Sequence, residues 1–462
     1  MTSPVEPARI HQLNDRPFAE NGRYVLYWMQ QSQRAVWNPA LEHAAACANA
    51  QKQPLAVCFG LMDGYPEANL RHYTFMLEGL QDVAETLRER GVSFATALGD
   101  PAEVALRFGR HASMIVADRG YLRHQIAWRK QVAKEAHCPV IQVEGDVVVP
   151  VEEASTKCEV GARTLRPRIW RKAEEYLQPL RAVHLQHSSA ELAFPSLDLT
   201  DVPKLCARLR LDGSVPAVSR YFRGGATEAK KRFRRFLSDR MADYAEHRNH
   251  PETDDVSSMA MHLHFGQISP VWLTLEARKL RGVDRQNLDV FVEELLVRRE
   301  LAMNFVSYEP CYDSYEAAPA WARETLEKHC RDRREHLYRR EEFEEGKTHD
   351  RYWNAAMQEM RSTGYMHNYM RMYWGKKILE WSKTPEDAHA TALALNNKYF
   401  LDGRDANSYG NIAWLFGRHD RPWPERPVYG KVRSMTAGGL KRKCDIEGYC
   451  RKVESLARTA EG

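Results

Sequence analysis

The feature that most constrains this chain is a change in hydrophobic periodicity about a third of the way along its 462 residues. Before about Glu144, short apolar runs alternate with amphipathic stretches, whereas after about Ser219 only helical periodicities are found. Apolar runs that alternate with helices are typical of parallel strands buried on both faces. The sequence therefore predicts an α/β domain followed by an all-helical domain.

Four apolar runs in the first part predict strands, and two longer stretches between them predict helices. The strand runs are residues 24–28, 55–59, 114–117 and 140–143, and the helical stretches are residues 70–90 and 121–136. Asp100 and Pro101 form a typical helix start, with Asp as the cap and Pro in the first turn. We expect a doubly wound, Rossmann-like parallel sheet of five strands.

The predicted organisation has four segments. They are an N-terminal extension at residues 1–22, the α/β domain at 23–148, an inter-domain connector at 149–216 and the helical domain at 217–462. Repeated prolines predict an irregular connector that wraps the surface. Residues 30–34, after the first long strand, read Gln-Gln-Ser-Gln-Arg rather than a glycine-rich phosphate loop, so a dinucleotide held in the ordinary Rossmann manner is not expected there.

Composition excludes several classes of protein. No run approaches the roughly 18 apolar residues that span a bilayer, and residues 1–21 lack the apolar core of a signal peptide, so we expect a cytoplasmic protein without a membrane segment. Nine cysteines are scattered singly without a Cys-x-x-Cys pair, which argues against a disulfide framework and a metal site. Neither a coiled coil nor a broad apolar stripe is found, so we expect a monomer without an obligate protein partner.

Two basic segments of the helical domain favour a polyanionic partner. Residues 215–248 contain nine Lys and Arg against four Asp and Glu, and residues 418–458 contain eleven against five. A solvated helix face is the alternative explanation for the charge. The second segment interleaves aromatic residues with arginines, as a surface that stacks bases and binds phosphates requires.

Trp374 and Trp381 lie seven residues apart, so they share one face of a helix. This spacing fits ordinary core packing, and it also fits a stepwise electron path between indoles. Residues 396–407 are rich in Asn, Asp and Gly after a helix, which is typical of a turn. Neither pattern alone decides whether these residues have a structural or a functional role.

An ordered series of motifs carries a more specific signal. The motifs are Tyr-Val-Leu-Tyr-Trp-Met at 24–29, His-Leu-His-Phe-Gly-Gln-Ile-Ser at 262–269, Glu-Glu-Leu-Leu-Val-Arg-Arg-Glu-Leu at 293–301, Thr-His-Asp at 348–350, Met-Arg-Met-Tyr-Trp-Gly-Lys-Lys-Ile-Leu-Glu-Trp at 370–381 and Leu-Asp-Gly-Arg-Asp at 401–405. In this order they resemble the class II cyclobutane pyrimidine dimer photolyases, over residues 22–449. The resemblance implies a flavoprotein lyase that repairs DNA.

The resemblance implies a U-shaped FAD inside the helical domain, with its phosphates at the first turns of helices. Around the phosphates and ribityl chain it implies Tyr244, Ser257, Ser258, Met259, Ala260 and Met261. Along the flavin it implies Gln267, Arg298, Asn368, Arg371, Asn396 and Asp402. Arg371 and Asp402 are expected to form an ion pair beside the isoalloxazine, and Asn396 is expected to face its N5.

The resemblance also implies the reaction and its substrate. Excited, reduced anionic FAD would pass an electron to a dimer flipped out of UV-damaged double-stranded DNA. Glu293 would bind the carbonyl edge of the dimer, or Glu294 if the register shifts by one, with Met372 and Trp414 as walls. The other implied DNA contacts are Arg248, Asn249, Arg421, Trp423 and Arg433.

The implied electron path for photoreduction of the flavin uses Trp374, Trp381 and Trp353 as its proximal, middle and distal members. The chain departs from the family pattern at Ala260-Met261-His262, where Ser-Pro-Tyr is usual, and at Val297, where some relatives have Trp. An antenna chromophore such as an 8-hydroxydeazaflavin could occupy a crevice of the N-terminal domain, or the crevice could hold nothing.

Three alternatives to dimer repair stay open. A cryptochrome-like blue-light photoreceptor would use the same flavin and Trp path, although Glu293, Met372, Trp414 and the short segment after Tyr449 favour repair. A photolyase for (6-4) photoproducts would need a catalytic His pair, for which His262 is the only candidate nearby. A redox flavoprotein or a plain nucleic-acid-binding module is the third.

Overall fold

The structure is a computed structural model, and it describes residues 3–461. The first part of the chain forms a six-stranded sheet. Its strands are β1 (Ile10–Gln12), β2 (Tyr24–Met29), β3 (Leu55–Leu61), β4 (Ser93–Leu98), β5 (Ala112–Asp118) and β6 (Val140–Val143). They lie in the order β1-β6-β5-β2-β3-β4, and every pairing is parallel except that of β1 with β6.

The five parallel strands confirm the predicted doubly wound sheet, and helices lie along both faces. These helices are α1 (Pro39–Ala50), α2 (Leu70–Glu89), α3 (Pro101–Gly109) and α4 (Arg123–Glu135). The side chains of β2 alternate between two apolar cores, with Tyr27 in one and Trp28 in the other. Asp100 caps α3 as predicted, because its carboxylate accepts from the backbone N–H groups of Ala102 and Glu103.

Two strands were not recognised from the sequence. β1 lies in the predicted N-terminal extension and adds an antiparallel edge to the sheet. β4 is the opposite edge, and its polar Ser93 and Thr96 interrupt the apolar run that marks a buried strand. Edge strands are half covered, so they lack the continuous apolar signal of the central strands.

The predicted connector contains regular structure. Its helices are α5 (Val151–Ala154), α6 (Ala162–Tyr176) and α7 (Val202–Cys206). The prediction of an irregular segment was wrong for α6, which tolerates Pro167 because Leu165, Ile169 and Ala173 form a buried apolar face. A proline removes one backbone donor, and here packing outweighs that loss. The segment boundaries themselves stay predictions.

The rest of the chain is helical, as predicted. Its helices are α8 (Ala226–Asp239), α9 (Tyr244–His247), α10 (Ala260–His264), α11 (Pro270–Arg278), α12 (Arg285–Glu293), α13 (Arg299–Tyr308), α14 (Ala320–Lys328), α15 (Arg340–Glu345), α16 (Arg351–Thr363), α17 (Asn368–Trp381), α18 (Pro385–Tyr399), α19 (Ala406–Leu415), α20 (Ala437–Lys443) and α21 (Ile446–Glu461). A π-helical turn, Glu294–Arg298, separates α12 from α13. Across residues 3–461, we find no helix long and apolar enough to cross a membrane.

Buried arginines join the sheet region to the helical region. Arg71 on α2 donates to the backbone oxygens of Met360 and Tyr399 across the boundary. Arg34, just after β2, donates to the oxygen of Gly266 and pairs with Asp146. Each guanidinium is almost fully buried and satisfied by several acceptors, so it fixes the two regions together.

Candidate cofactor and DNA site

An ion pair with little exposed surface lies in the helical region. Arg371, in the first turn of α17, binds Asp402 through two hydrogen bonds of 2.9 Å each. Its Nε donates to the oxygen of Met366, and its guanidinium lies 3.9 Å from the centroid of the Phe400 ring. Burial opposes the charge of Arg371, but the Asp402 carboxylate outweighs burial and raises the pKa of the guanidinium. The expected ion pair is therefore present.

Asn396 lies on α18, one turn before the segment that carries Asp402. Its amide nitrogen donates to Oδ1 of Asn397 at 3.0 Å, and Asn397 in turn donates to Glu67 of the sheet region. This chain of amides orients Asn396 and leaves its carbonyl oxygen for another donor. Asn368 stands at the start of α17 with an exposed side chain.

Three tryptophans form a continuous path, in an order that differs from the prediction. The rings of Trp374 and Trp353 are stacked with centroids 6.5 Å apart, and Trp353 meets Trp381 edge-on at 6.2 Å. Trp353 also donates from Nε1 to the backbone oxygen of Trp374. A seven-residue spacing on one helix separates Trp374 from Trp381 by two turns, so Trp353 of α16 fills the gap between them. The geometric order is Trp374, Trp353, Trp381.

A cavity of about 440 Å³ opens in the helical region near Arg371. It is lined by Ser257 and Ser258 of the predicted phosphate segment, and by Tyr365, which contacts Arg371. The buried side chains of Met259 and Met261 pack into neighbouring apolar clusters, so this segment faces the cavity through its serines. Tyr244 also lies in an aromatic cluster with Phe236 and Phe291 rather than on the cavity wall. Ala260 is exposed at the start of α10.

Four cations line the same cavity, and none of them is among the predicted site residues. They are Arg232, Arg235, Arg240 and Lys452. Three of them belong to the basic segment 215–248, so the local charge excess was the signal that marked them. Asp254 and Glu359 are acidic groups on the same wall. The balance of charge favours an anionic ligand.

Gln267 is not on this cavity. Its Oε1 accepts from the Gly225 N–H at 2.8 Å and contacts Nδ1 of His262 at 3.0 Å, and its Nε2 donates to Phe75. All of its polar atoms are used between the two regions of the chain, which corrects the expectation that it lines the flavin. His262 is fully buried in the same network, and burial lowers its pKa to about 4, so it is neutral near pH 7.

The two glutamates at 293 and 294 face different partners. Glu293 binds Arg166 of α6 at 2.7 Å and lies 3.7 Å from Arg298. Glu294 binds Arg248 at 2.7 Å, and Arg248 is one of the residues expected to hold DNA phosphates. Of the two glutamates, Glu294 is thus the one that lies beside a predicted DNA contact.

The residues that follow also differ from expectation. The side chain of Arg298 is half exposed and turned toward Glu293, whereas the next residue, Arg299, is buried and donates to the oxygen of Asp146. Val297 is fully buried in the helical core, so position 297 is not a wall of an open pocket. The π-helical turn shifts the side chains here by a fraction of a turn, which sequence spacing does not reveal.

Four of the predicted DNA contacts form one cluster on the surface. The Arg433 guanidinium lies 4.2 Å from the Trp423 ring and 5.5 Å from the Trp414 ring, and Arg421 lies 5.3 Å from Trp423. Asp420 pairs with Arg433 at 2.9 Å and accepts from Trp423 Nε1. Alternating rings and cations of this kind suit stacked bases and phosphates. Asn249 and Met372 are half-buried.

A second cavity lies where the carboxyl ends of the parallel strands meet the helical region. Several buried polar atoms on its wall have no hydrogen-bond partner among the described residues. They are Trp28 Nε1, Gln30 Nε2, Gln33 Oε1, His264 Nδ1 and Arg404 Nε. The sheet order reverses between β2 and β5, and ligands of open α/β sheets bind at such a switch point.

Comparison with known proteins identifies the family. The model of the DNA photolyase family matches residues 25–186. A deoxyribodipyrimidine photo-lyase from Methanothermobacter thermautotrophicus is 46% identical over 453 residues, which cover 98% of this chain and 99% of the relative. The chain belongs to the DNA photolyase family.

Solved photolyases share the fold. A bacterial class III photolyase from Agrobacterium tumefaciens superposes with a TM-score of 0.72 over 96% of this chain and 91% of its own, at 17% identity. An archaeal photolyase from Sulfolobus tokodaii, solved with two FAD molecules, gives a TM-score of 0.67 over 94% of this chain and 93% of its own, at 16% identity. At these identities the likeness concerns the fold: a mixed sheet region followed by a helical region.

Proposed function

We propose that this member of the photolyase family is a class II enzyme that uses light to repair cyclobutane pyrimidine dimers in DNA. The observation that carries the proposal is the conjunction of the Arg371–Asp402 pair with the tryptophan path that begins at Trp374. The ordered motifs at 262–269, 293–301, 370–381 and 401–405 support the class II assignment.

The helical cavity fits FAD. Arg232, Arg235 and Lys452 offer charges to its phosphates, and Ser257 and Ser258 offer hydroxyl and backbone donors. One buried donor on this wall, His367 Nε2, has no partner among the described residues, as expected where a polar ligand belongs. Reduced FAD supplies, when bound, the light-driven electron that opens the cyclobutane ring.

The chain's own residues bind, orient and exclude water. Arg371 presents a permanent positive charge that Asp402 and Phe400 hold in one orientation, and such fixed charge stabilises negative charge that develops nearby. Asn396, whose amide nitrogen is held by Asn397, would offer its carbonyl oxygen to a donor on the cofactor. In the ring-to-ring order of the structure, Trp374 lies nearest this pair, Trp353 is the middle member and Trp381 the outer one.

DNA binding follows from the surface cluster around Trp423. A dimer inside a duplex is out of reach of a buried cavity, so it must be extruded, and the gap must be filled. Trp423, Arg421 and Arg433 have the stacking and phosphate-binding groups for that role. Trp414 and Met372 are proposed as walls for the dimer, with Glu293 or Glu294 binding its carbonyl edge and Arg248 and Asn249 holding phosphates.

The cavity at the strand ends is proposed as an antenna site. The unpaired amide, imidazole, indole and guanidinium atoms on its wall fit a planar chromophore with several polar edges, such as an 8-hydroxydeazaflavin. The solved Sulfolobus photolyase, whose second FAD was taken to imply a light-harvesting cofactor, supports a second chromophore in this fold.

One experiment tests the proposal directly. The purified protein is examined by absorption spectroscopy and then illuminated, under reducing conditions, with an oligonucleotide that contains a thymine dimer. Flavin bands with light-dependent recovery of thymine absorbance are expected. Flavin without recovery would favour the cryptochrome-like photoreceptor, and a protein without flavin would contradict the site assignment.

A further inference from the structure

A fully buried lysine lies behind the proposed dimer pocket. Lys376, on α17, has no exposed surface, and its Nζ donates to the backbone oxygen of Leu415 at 2.6 Å. The same Nζ lies 4.7 Å from the centroid of the Trp414 ring. The carboxylate that acts on its charge, Asp420, is already bonded to Arg433. Lysine is rarely buried to this extent unless an acid is paired with it.

Lys376 is the inner end of a series of cations and rings that reaches the surface. Lys376 and Arg433 both contact the Trp414 ring, and Arg433 also contacts Trp423. Arg421 contacts Trp423 at the outer end. The series thus connects the core of the helical region with the groups proposed to fill the gap in DNA.

We propose that Lys376 is a positioning residue that fixes the Trp414 ring for the flipped dimer. The inference rests on the proposed function, since it takes Trp414 as a wall of the dimer pocket. Lys376 has two contacts here, one with the Trp414 ring and one with the backbone carbonyl of the next residue, Leu415. Trp414 is only half-buried, so these contacts limit its rotation.

Packing alone does not account for a lysine at this position. An ammonium group removed from water costs stability, and an apolar side chain of similar volume would fill the space without that cost. A cation beside an indole ring in a water-excluded place is, however, a strong orienting contact. The inference therefore predicts that removing the charge improves stability or leaves it unchanged, while it weakens recognition of the dimer.

The contact between Lys376 and the Trp414 ring should also make recognition of the dimer depend on pH. Burial is the main cause that lowers the pKa of Lys376 to about 7, with Arg433 acting in the same direction and Asp420 opposing it. The hydroxyl of Tyr429 donates to the backbone oxygen of Lys376 and to the Glu380 carboxylate. Lys376 is charged below pH 7 and neutral above it, so its hold on the ring weakens as the pH rises through about 7.

The test measures dark binding to a dimer-containing duplex and to the same duplex undamaged, by fluorescence anisotropy between about pH 6 and pH 8.5. Lys376→Met removes the charge, and Lys377→Met is the matched control, since Lys377 on the same helix pairs with Glu380 instead. We expect Lys376→Met to reduce the preference for the dimer about tenfold at pH 6. The wild type and Lys377→Met should lose preference as the pH rises through 7, whereas Lys376→Met should show a flat profile.

A thermal melt of each variant completes the test, and Lys376→Met should melt at or above the wild-type temperature. The inference is overturned if Lys376→Met keeps the dimer preference and its pH profile, or if it melts lower and loses affinity equally for both duplexes. If the wild type repairs dimers and Lys376→Met gives either of these results, only the role of Lys376 is rejected. A wild type that neither prefers the dimer nor repairs it in light rejects the proposed function as well.

Discussion

The two cavities of the molecule differ in the kind of polar group they present. The cavity in the helical region is lined by charged groups, among them Arg232 and Lys452, and adjoins the Arg371–Asp402 pair. The cavity at the strand ends presents mostly neutral edges, such as Trp28, Gln30 and Gln33. Charges suit a ligand with phosphates, whereas neutral donors and acceptors suit a planar ring system. This difference is the basis for proposing two chemically distinct places for chromophores in one fold.

The largest effect is expected from breaking the buried ion pair. Arg371→Ala leaves the Asp402 carboxylate buried without its partner, so the free energy of unfolding should fall by about 3–5 kcal/mol and the flavin should be lost. Chemical denaturation and the visible spectrum of the purified variant measure the two effects. Arg298→Ala is the control, because Arg298 is half exposed beside Glu293, and it should change stability by less than about 1 kcal/mol and keep the flavin. The reverse ranking would contradict the assignment of the pair to the cofactor.

The next largest effect is expected from replacing the tryptophans. Its size on flavin photoreduction should follow the order of the ring contacts. Trp374→Phe and Trp353→Phe should each nearly abolish photoreduction of oxidised flavin, because both lie between the proposed cofactor site and the outer ring. Trp381→Phe should leave a measurable remainder, since two rings stay in contact. Illumination of the oxidised protein with a reductant gives the rates. Repair by chemically reduced protein should survive in all three, and its equal loss would indicate that the rings are structural.

How much of this could be predicted depends on how local each feature is. The continuous apolar run of β2 and the cap at Asp100 are local patterns, and both predicted the structure correctly. Arg371 and Asp402 are brought together by the packing of α17 and α18, so only the family resemblance pointed to the pair. Trp353 as the middle ring depends on how α16 packs, which spacing within α17 cannot reveal. Lys376 is an ordinary lysine in sequence, and only its burial distinguishes it.

A smaller effect should decide between the two glutamates. If the Glu294 carboxylate accepts from the imide N–H on the carbonyl edge of the dimer, Glu294→Gln should lower the repair yield and dimer affinity by about tenfold, because a hydrogen bond to a charged acceptor becomes one to a neutral amide. Glu293→Gln should then have little effect, because Glu293 is bound by Arg166 and Arg298, neither of which is a proposed DNA contact. Single-turnover repair with saturating reductant measures the yield. The opposite result would restore the register in which Glu293 binds the dimer, and neither variant should lose flavin.

A substitution in the strand-end cavity should weaken binding of the second chromophore without changing the repair step. His264→Phe removes one free polar atom from its wall and should reduce retention of an added deazaflavin. Repair driven by light that the flavin itself absorbs should be unchanged, so an action spectrum of the reconstituted protein separates the two contributions. A loss of flavin in this variant would indicate that the two cavities are not independent.

The smallest effect concerns the loop that carries Trp423, which is attached to α14 through a histidine. His329 contacts Glu425 at 2.8 Å and Asp332 at 2.6 Å, and these carboxylates, Glu425 first, raise the pKa of the imidazole. Because the folded pKa is above the unfolded one, this stabilisation is full below about pH 6.5 and is lost as the pH rises through the folded pKa. The contact is near the surface, so the effect on unfolding should be slight and should weaken with salt. Melting curves of the wild type and His329→Gln should differ at acidic pH and converge at alkaline pH. A difference that persists at alkaline pH would mean that His329 stabilises the loop by packing rather than by its charge.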